Sequence, residues 1–404
     1  MVILVLNCGS SSIKYQVIDM KCCSESKLLA KGLVDRVGLA QGLLTHKPVG
    51  KDIYEVERPI ENHTVGIKLV LEALVDPSHG VIESLEELKA VGHRVAHGGE
   101  HFAESCIIDA DVEEKIKSLF EIAPLHNPAN YQGIEAINNV LPGLSQVAVF
   151  DTSFHQTIPA VNYMYAIPTK YYDKYRVRKY GFHGTSHKYV GQKAAELCGI
   201  DFNNSKIITC HVGNGGSVTA IKNGKSFDTS MGFSPLDGLI MGTRSGSMDV
   251  SAALYIGEKE GMSFPEITSM LNKQSGVLGL TNGMSSDMRD IDDAYDAGNE
   301  AAILARDMHY DRVKRFIGQY AAAMGGLDLI VFTGGVGENS DNLRPTACSG
   351  LEFMGVEFDH AANKGARGVD RVLSTPSSKV KVAMIATDEE MVIASDTYTL
   401  VKKN

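Results

Sequence analysis

Apolar residues along this chain fall into two rhythms. Short runs of Val, Ile and Leu bounded by Gly and Ser predict buried strands over Ile3–Leu6, Ala90–Val95, Gln146–Phe150, Ile207–Val212, Val218–Ile221 and Leu329–Phe332. Tyr15–Ile18 resumes an extended pattern after a turn of small residues, Gly9–Ser12. Leu, Ile and Ala at three- and four-residue spacing predict helices over Val65–Leu74, Ala110–Phe120, Tyr131–Val140 and Met248–Glu260. A further helix is predicted over Asp290–Phe316, running on to Met324. The last strand leads into a turn, Thr333–Asn339, and the interleaving of strands and helices implies an α/β protein.

The pattern occurs twice. Ile3-Leu-Val-Leu-Asn-Cys-Gly-Ser-Ser-Ser12 lies on Ile207-Ile-Thr-Cys-His-Val-Gly-Asn-Gly-Gly216 without a gap, with Gly9 on Gly213. Each copy is a buried strand feeding a tight turn, at the start of a predicted domain. A chain of 404 residues exceeds one ordinary core, so two domains are expected.

Composition narrows the function. No apolar run approaches the roughly 20 residues that span a bilayer. The N-terminal Met1–Leu6 lacks the basic lead of a signal peptide and reads as a strand. A net charge of −10 disfavours nucleic acid as a partner but leaves room for a small anion at a local positive site. The seven cysteines are scattered and form no C-x-x-C pair, which points to a reduced, cytoplasmic setting without a zinc knuckle.

Gly/Ser turns of this kind bind phosphate, because small residues let backbone N–H groups approach the oxygens. Asn7-Cys-Gly-Ser-Ser-Ser-Ile-Lys14 adds hydroxyls and an ammonium group. It is not a Walker A loop. The one Gly-Lys-Ser, Gly224–Ser226, has Thr219 where the upstream glycine belongs, and Gly213–Val218 misses the dinucleotide pattern. Arg94 and Arg244 each sit in a Gly-rich segment, where a guanidinium fork can hold carboxylate or phosphate. Asp151 follows a strand end, the usual place for α/β sites, and His183 lies between a Phe and a Gly. Asp388-Glu389-Glu390 reads as the first turn of a helix or as a magnesium-holding cluster.

Taken together the motifs carry a resemblance. Asn7–Lys14, Gly92–Gly99, Ala123–Pro128, Phe150–Thr157, Tyr180–His187, His211–Ser217 and Met241–Gly246 resemble the acetate and propionate kinase family of the actin-like, hexokinase-like (ASKHA) ATPase superfamily, over essentially the whole chain. The resemblance implies two duplicated actin-like, ribonuclease H-like ATPase domains flanking an active-site cleft. The first would comprise 1–150 with 387–404 returning to it, the second 151–386. It also implies reversible in-line transfer of the γ-phosphoryl group from ATP to acetate, giving acetyl phosphate and ADP. Mg²⁺, with Mn²⁺ as a substitute, would be held by Asn7 and Glu389. Asp151, His183 and Arg244 would be catalytic, with Arg94, Ala96, Leu125, Phe182 and Pro235 around the carboxylate substrate. Lys14, His211, Val212, Gly213, Asn214 and Gly215 would face the nucleotide phosphates. Asp287, Met288 and Arg289 with Gly335, Val336, Gly337, Glu338 and Asn339 would line the adenosine. A homodimer is implied, with neither nucleic acid nor membrane as partner.

Two departures stand out. The family usually has Val where this chain has Ala96, which enlarges the acyl pocket and raises propionate, or short carboxylates broadly, as the alternative acceptor. After Arg244 the chain reads Ser245-Gly-Ser-Met-Asp-Val250, where an acidic residue and a proline are usual, so that loop is expected to be looser. Thr281–Met284 is also one residue longer than usual. A sugar kinase would need polar sugar ligands in place of Ala96, Leu125, Phe182 and Pro235. An ATP-driven chaperone or filament protein would need a polypeptide-binding surface, for which no extra segment is available.

Overall fold

The computed structural model describes residues 1–22 and 25–403; Cys23 and the last residue of the predicted N-terminal domain fall outside them. The chain divides into two compact units, Met1–Ser153 with Asp388–Asn404, and Phe154–Thr387.

The first unit is built on a sheet of order β5-β4-β3-β2-β1-β6-β8-β7. Its strands are β1 (Val2–Cys8), β2 (Ser12–Cys22), β3 (Glu25–Asp35), β4 (Gly42–Pro48), β5 (Tyr54–Arg58), β6 (Leu88–Val95), β7 (Cys106–Ile107) and β8 (Ser145–Phe150). β1, β6 and β8 run parallel, and the β1–β5 meander is antiparallel. Parallel strands bury both faces, which is why β1 and β8 read as continuous apolar runs. Helices His63–Leu74 and Asn127–Val140 cover one face through Ile67, Val70, Ala136 and Ile137. Helix Glu389–Lys403 covers the other, with Ile393, Ala394 and Tyr398 on Ile3, Val5, Val147 and Val149. Gly92 is required where that helix crosses β6, since a Cβ there would lie 2.5 Å from Thr397 Oγ1.

The second unit has the order β11-β10-β9-β12-β14-β13, made from β9 (Lys206–Val212), β10 (Gly216–Lys222), β11 (Lys225–Thr229), β12 (Leu329–Thr333), β13 (Arg371–Val372) and β14 (Lys381–Met384). Its faces are covered by helix Glu300–Met324 and by helix Gly184–Cys198.

The duplication is visible strand by strand. β3-β2-β1-β6-β8 and β11-β10-β9-β12-β14 share one order and one set of directions. The gapless repeat holds along β1 and β9, then fails by one residue in the turn. Cys8 pairs with Ile13, but its counterpart Val212 pairs with Gly216. A slip of one residue exchanges the two faces of a strand. The true counterpart of Lys14, opposite Asn7, is therefore Ser217, opposite His211.

Three other expectations change. The predicted helix from Asp290 to Met324 is two helices, Met288–Asp296 and Glu300–Met324. Gly298 takes a φ of 80°, and Asn299 caps the second helix by accepting from the Ala302 N–H at 3.0 Å. The turn at Thr333–Asn339 is the end of β12 followed by a short helix, Gly334–Asn339. The helix expected from Met248 begins at Val250, with Asp249 accepting from Ser251 N–H at 2.8 Å.

Candidate active site

In the first unit, three adjacent parallel strands end side by side and present Asn7 on β1, Arg94 on β6 and Asp151 just beyond β8. Arg94 Nε donates to Asp151 Oδ1 at 3.1 Å, its Nη2 donates to Oδ2, and its Nη1 donates to Asn7 Oδ1 at 3.2 Å. Asp151 is 1% exposed, so the guanidinium is held by a buried, two-point carboxylate. The Asp151 charge drives the Arg94 pKa up, with Glu389 and Glu390 adding to it, so this cation is permanent.

The loop after β6 is fixed from below. Asn130 accepts from Ala96 N–H at 2.9 Å and donates to Cys8 C=O at 2.7 Å. Asn127 accepts from His97 N–H at 3.1 Å and donates to His97 C=O at 2.9 Å. Both asparagines are buried in the first turns of helix Asn127–Val140; Asn130 ties the ends of β1 and β6 together, and Asn127 fixes the next residue of the loop. Ala96 itself is buried, and Leu125, in the preceding loop, is 61% exposed.

Glu389 opens the returning helix. Burial raises its carboxyl pKa to about 7; Asp151 and Glu390 push the same way, and Arg94 and Lys14 oppose them. A divalent cation would relieve that crowding of acids. Asn7 Oδ1 and the Glu389 carboxylate are hard oxygen donors, and they fit an ion that takes few protein ligands and keeps its waters. Among the described residues no group of three or more His, Cys, Asp or Glu could hold a metal ion.

In the second unit, the β9–β10 turn and the start of helix Gly334–Asn339 interlock. Gly213 N–H donates to Gly215 C=O at 3.0 Å. Gly334 has φ 80°, and a Cβ there would stand 2.9 Å from Val212 C=O. Gly213, Asn214, Gly215 and Gly335 remain accessible, whereas the side chains of Val212 and Met288 belong to the core. Those two can therefore meet a ligand only through the backbone. Glu338 is used internally: Oε1 accepts from Gly334 N–H at 2.8 Å, Thr387 N–H at 3.0 Å and Thr333 Oγ1 at 3.2 Å. Asn339 likewise donates back to Gly335 C=O at 2.9 Å. Asp287 caps helix Met288–Asp296 and grips Arg289, which lowers the Asp287 pKa to about 2. Of the adenosine set expected from sequence, Asp287, Glu338 and Asn339 also fix turns, and Gly335 is the exposed member of its glycine group.

Arg244 lies beside the same turn; a Cβ on Gly215 would sit 3.7 Å from its Nη1, which also donates to Pro235 C=O at 3.3 Å. Burial lowers its pKa, though a guanidinium stays charged. Backbone hydrogen bonds tie the loop around it. Met241 N–H donates to Arg244 C=O, Ser245 N–H to Leu271 C=O, and Val277 N–H to Met241 C=O, at 2.9–3.1 Å. Ser247, standing where an acid is usual, donates to Asp237 at 2.6 Å and accepts from Gly238 N–H at 3.0 Å.

His183 takes φ 57°, an uncommon conformation for a side-chain-bearing residue, at the cap of helix Gly184–Cys198. Its ring stacks on His211 with centroids 4.4 Å apart, and its Nδ1 meets Ser217 Oγ at 2.9 Å. Behind it, His187 Nε2 meets the same Ser217 Oγ at 2.7 Å. Phe182 packs with Met231 and Met241, and its carbonyl accepts from His155 Nε2 at 2.9 Å. The sequence reading passed over Asn127, Asn130, His187, Ser186 and Thr387. Ser186 Oγ meets Thr387 Oγ1 at 2.9 Å and His211 Nδ1 at 2.8 Å. Asn127, Ser186 and His187 lie inside the quoted motifs, which was the only signal for any of them.

A five-strand core used twice, with glycine turns and charged groups at the strand ends, defines an α/β phosphoryl-transfer enzyme. The chain belongs to the acetokinase family, which it matches over residues 2–395. It is 52% identical over 403 residues to an acetate kinase of Phocaeicola vulgatus, covering 100% of both chains, and 53% identical to one of Caldanaerobacter subterraneus, covering 100% of this chain and 99% of that one. Its structure is similar to the crystal structure of Porphyromonas gingivalis acetate kinase, with a TM-score of 0.95, 48% identity and 99% coverage of each chain. A propionate kinase of Francisella tularensis follows the same fold at TM-score 0.90 and 42% identity, again with 99% of each chain covered.

Proposed function

We propose that this protein moves the γ-phosphoryl group reversibly between ATP and acetate, forming acetyl phosphate and ADP. The observation that carries the reading is the Arg94–Asp151–Asn7 arrangement at three strand ends, in a chain about half identical, end to end, to acetate kinases.

Acetate is ionised at neutral pH, so no strong base is needed, and the protein's work is positioning and charge neutralisation. Arg94, oriented by Asp151, holds the carboxylate. One carboxylate oxygen attacks the γ-phosphorus as the bond to the β-bridging oxygen breaks, and that electron pair leaves on ADP. Arg244 and His183 donate to the oxygens of the transferring group. Lys14 and the Gly213–Gly215 backbone take the other phosphates. Mg²⁺, when bound near Asn7 and Glu389, supplies neutralising charge on the phosphate oxygens. Asp151 orients Arg94 in this scheme and does not act as a general base.

The relatives favour acetate over propionate. The test is ADP release with ATP and Mg²⁺, requiring a short carboxylate and yielding a hydroxamate-trappable acyl phosphate. Release that is independent of carboxylate, or that depends on a sugar or a polypeptide, would overturn the reading.

The active form is further taken as a homodimer. Helix Val250–Glu260 buries Ala253 and Gly257 but leaves Val250, Leu254 and Tyr255 more than half exposed, and Phe264, which opens the following helix, is 79% exposed. So apolar a face suits a self-complementary contact. Leu254→Asp with Phe264→Asp should move the sedimenting mass from twice the chain mass to that of one chain; an unchanged mass would place the contact elsewhere.

A further inference from the structure

The histidine that faces the phosphoryl group under the proposed function caps a helix and is wired to a buried hydroxyl on β9. Thr209 Oγ1 on β9 meets His187 Nδ1 at 2.7 Å, His187 Nε2 meets Ser217 Oγ at 2.7 Å, and Ser217 Oγ meets His183 Nδ1 at 2.9 Å. Thr209, His187 and Ser217 are each 0% exposed.

Proton counting gives this relay a direction. Among the described residues the Thr209 hydroxyl has one hydrogen-bonding neighbour, His187 Nδ1. If Nδ1 carried the proton, the Thr209 O–H would be buried with no acceptor, an expensive arrangement. Thr209 therefore donates and Nδ1 accepts. His187 is neutral, since burial pushes its pKa well below the ordinary histidine value and His155 and His211 add to that. Its one proton is then on Nε2, which donates to Ser217. The single Ser217 proton has one place left, His183 Nδ1. A neutral His183 that accepts on Nδ1 carries its proton on Nε2.

We propose that Thr209, acting through His187 and Ser217, is a positioning residue that fixes His183 as the neutral tautomer protonated on Nε2, so that Nε2–H is the donor offered to the transferring phosphoryl group. The proposal rests on the reading of His183 given above. It has a second consequence. Protonating His183 on Nδ1 strands a buried hydroxyl proton, that of Ser217 or, if the whole relay reverses, that of Thr209, so the relay also holds the ring neutral. A fixed neutral donor needs no reorganisation during transfer.

The test is imidazole ¹⁵N NMR of the full-length, histidine-labelled enzyme, with steady-state kinetics on the same samples. The wild type should show His183 with a protonated Nε2 and a bare Nδ1 from about pH 6.5 to 8, a window above the ordinary histidine pKa. Thr209→Val keeps the branched shape, so β9 should fold. It should turn the His183 signal into a tautomer mixture and lower kcat about tenfold with the ATP KM within about twofold, and Thr209→Ser should restore both. Ser217→Ala should give the same mixture by cutting the last link. A wild-type His183 protonated on Nδ1, or a Thr209→Val signal identical to wild type, would overturn the proposal. The failures can be told apart: full activity in His183→Ala would remove the role of His183 in transfer, whereas the NMR readout tests the relay without reference to activity.

Discussion

At the scale of single residues, the acceptor pocket proposed for this site turns on a side chain that is small and on an asparagine that fixes its backbone. Ala96 is buried, and its N–H is fixed by Asn130. Ala96→Val adds two methyl groups at the position where the family usually carries them. Since one methylene in an apolar pocket is worth roughly 1–3 kcal/mol, the ratio of kcat/KM for acetate over propionate should rise about tenfold while acetate itself is little affected. A ratio that does not move would mean that Ala96 does not line the acyl site. Asn130→Ala should act differently, because it orphans the buried Ala96 N–H and Cys8 C=O together. A cost of about 2–3 kcal/mol in unfolding free energy is expected, with the acetate KM rising more than the ATP KM.

Elements explain what could be read in advance and what could not. β1, β6, β8, β9 and β12 were legible because strands buried on both faces are written as short, largely apolar stretches. β4 and β5 were not: Gly42-Leu-Leu-Thr-His-Lys-Pro48 and Tyr54-Glu-Val-Glu-Arg58 are half exposed and alternate polar with apolar near the sheet edge. The break at Gly298-Asn299 is written in the sequence as a helix stop followed by a cap, but helical periodicity on both sides hid it. At the site, the glycine turns and strand-end charges were visible as phosphate chemistry, and the role of each residue came from the resemblance. The relay behind His183 was invisible because Thr209, His187 and Ser217 come from two strands and a helix, and only the fold brings them together. Interlocked turns make a prediction at this scale. Gly334→Ala places a Cβ against the backbone of Val212, which cannot swing aside as a side chain would, in a conformation that alone costs about 1–2 kcal/mol. The nucleotide KM should rise several-fold with the acetate KM unchanged; equal effects on both would mean a general loss of structure.

For the whole molecule, buried histidines set the response to acid. His93 in the first unit and His155 and His309 in the second are held at pKa values of about 4 by burial, and His187 lies well below its ordinary value. Above pH 6.5 these rings are neutral whether the chain is folded or not, and they contribute nothing to pH dependence. Below it, the unfolded chain takes up protons that the folded chain refuses, so stability falls as the pH drops from about 6.5 to about 4. Each fully buried ring contributes up to about 3 kcal/mol of that loss, at about 1.4 kcal/mol per unit of pKa difference. Glu389 works the other way in the cation-free protein, because a carboxyl raised in the folded state favours folding at low pH. With three of these four rings, the second unit should be the first to unfold in acid. His309 isolates the effect, since it is 2% exposed, its Nδ1 has no hydrogen-bond partner among the described residues, and it lies within helix Glu300–Met324. His309→Leu keeps the burial and removes the titration. Its urea midpoint relative to wild type should therefore climb steadily between pH 6.5 and 4.5 and stay constant from pH 7 to 8. A difference that is the same at every pH would show that the ring matters through packing alone, and that acid unfolding of this unit starts at another residue.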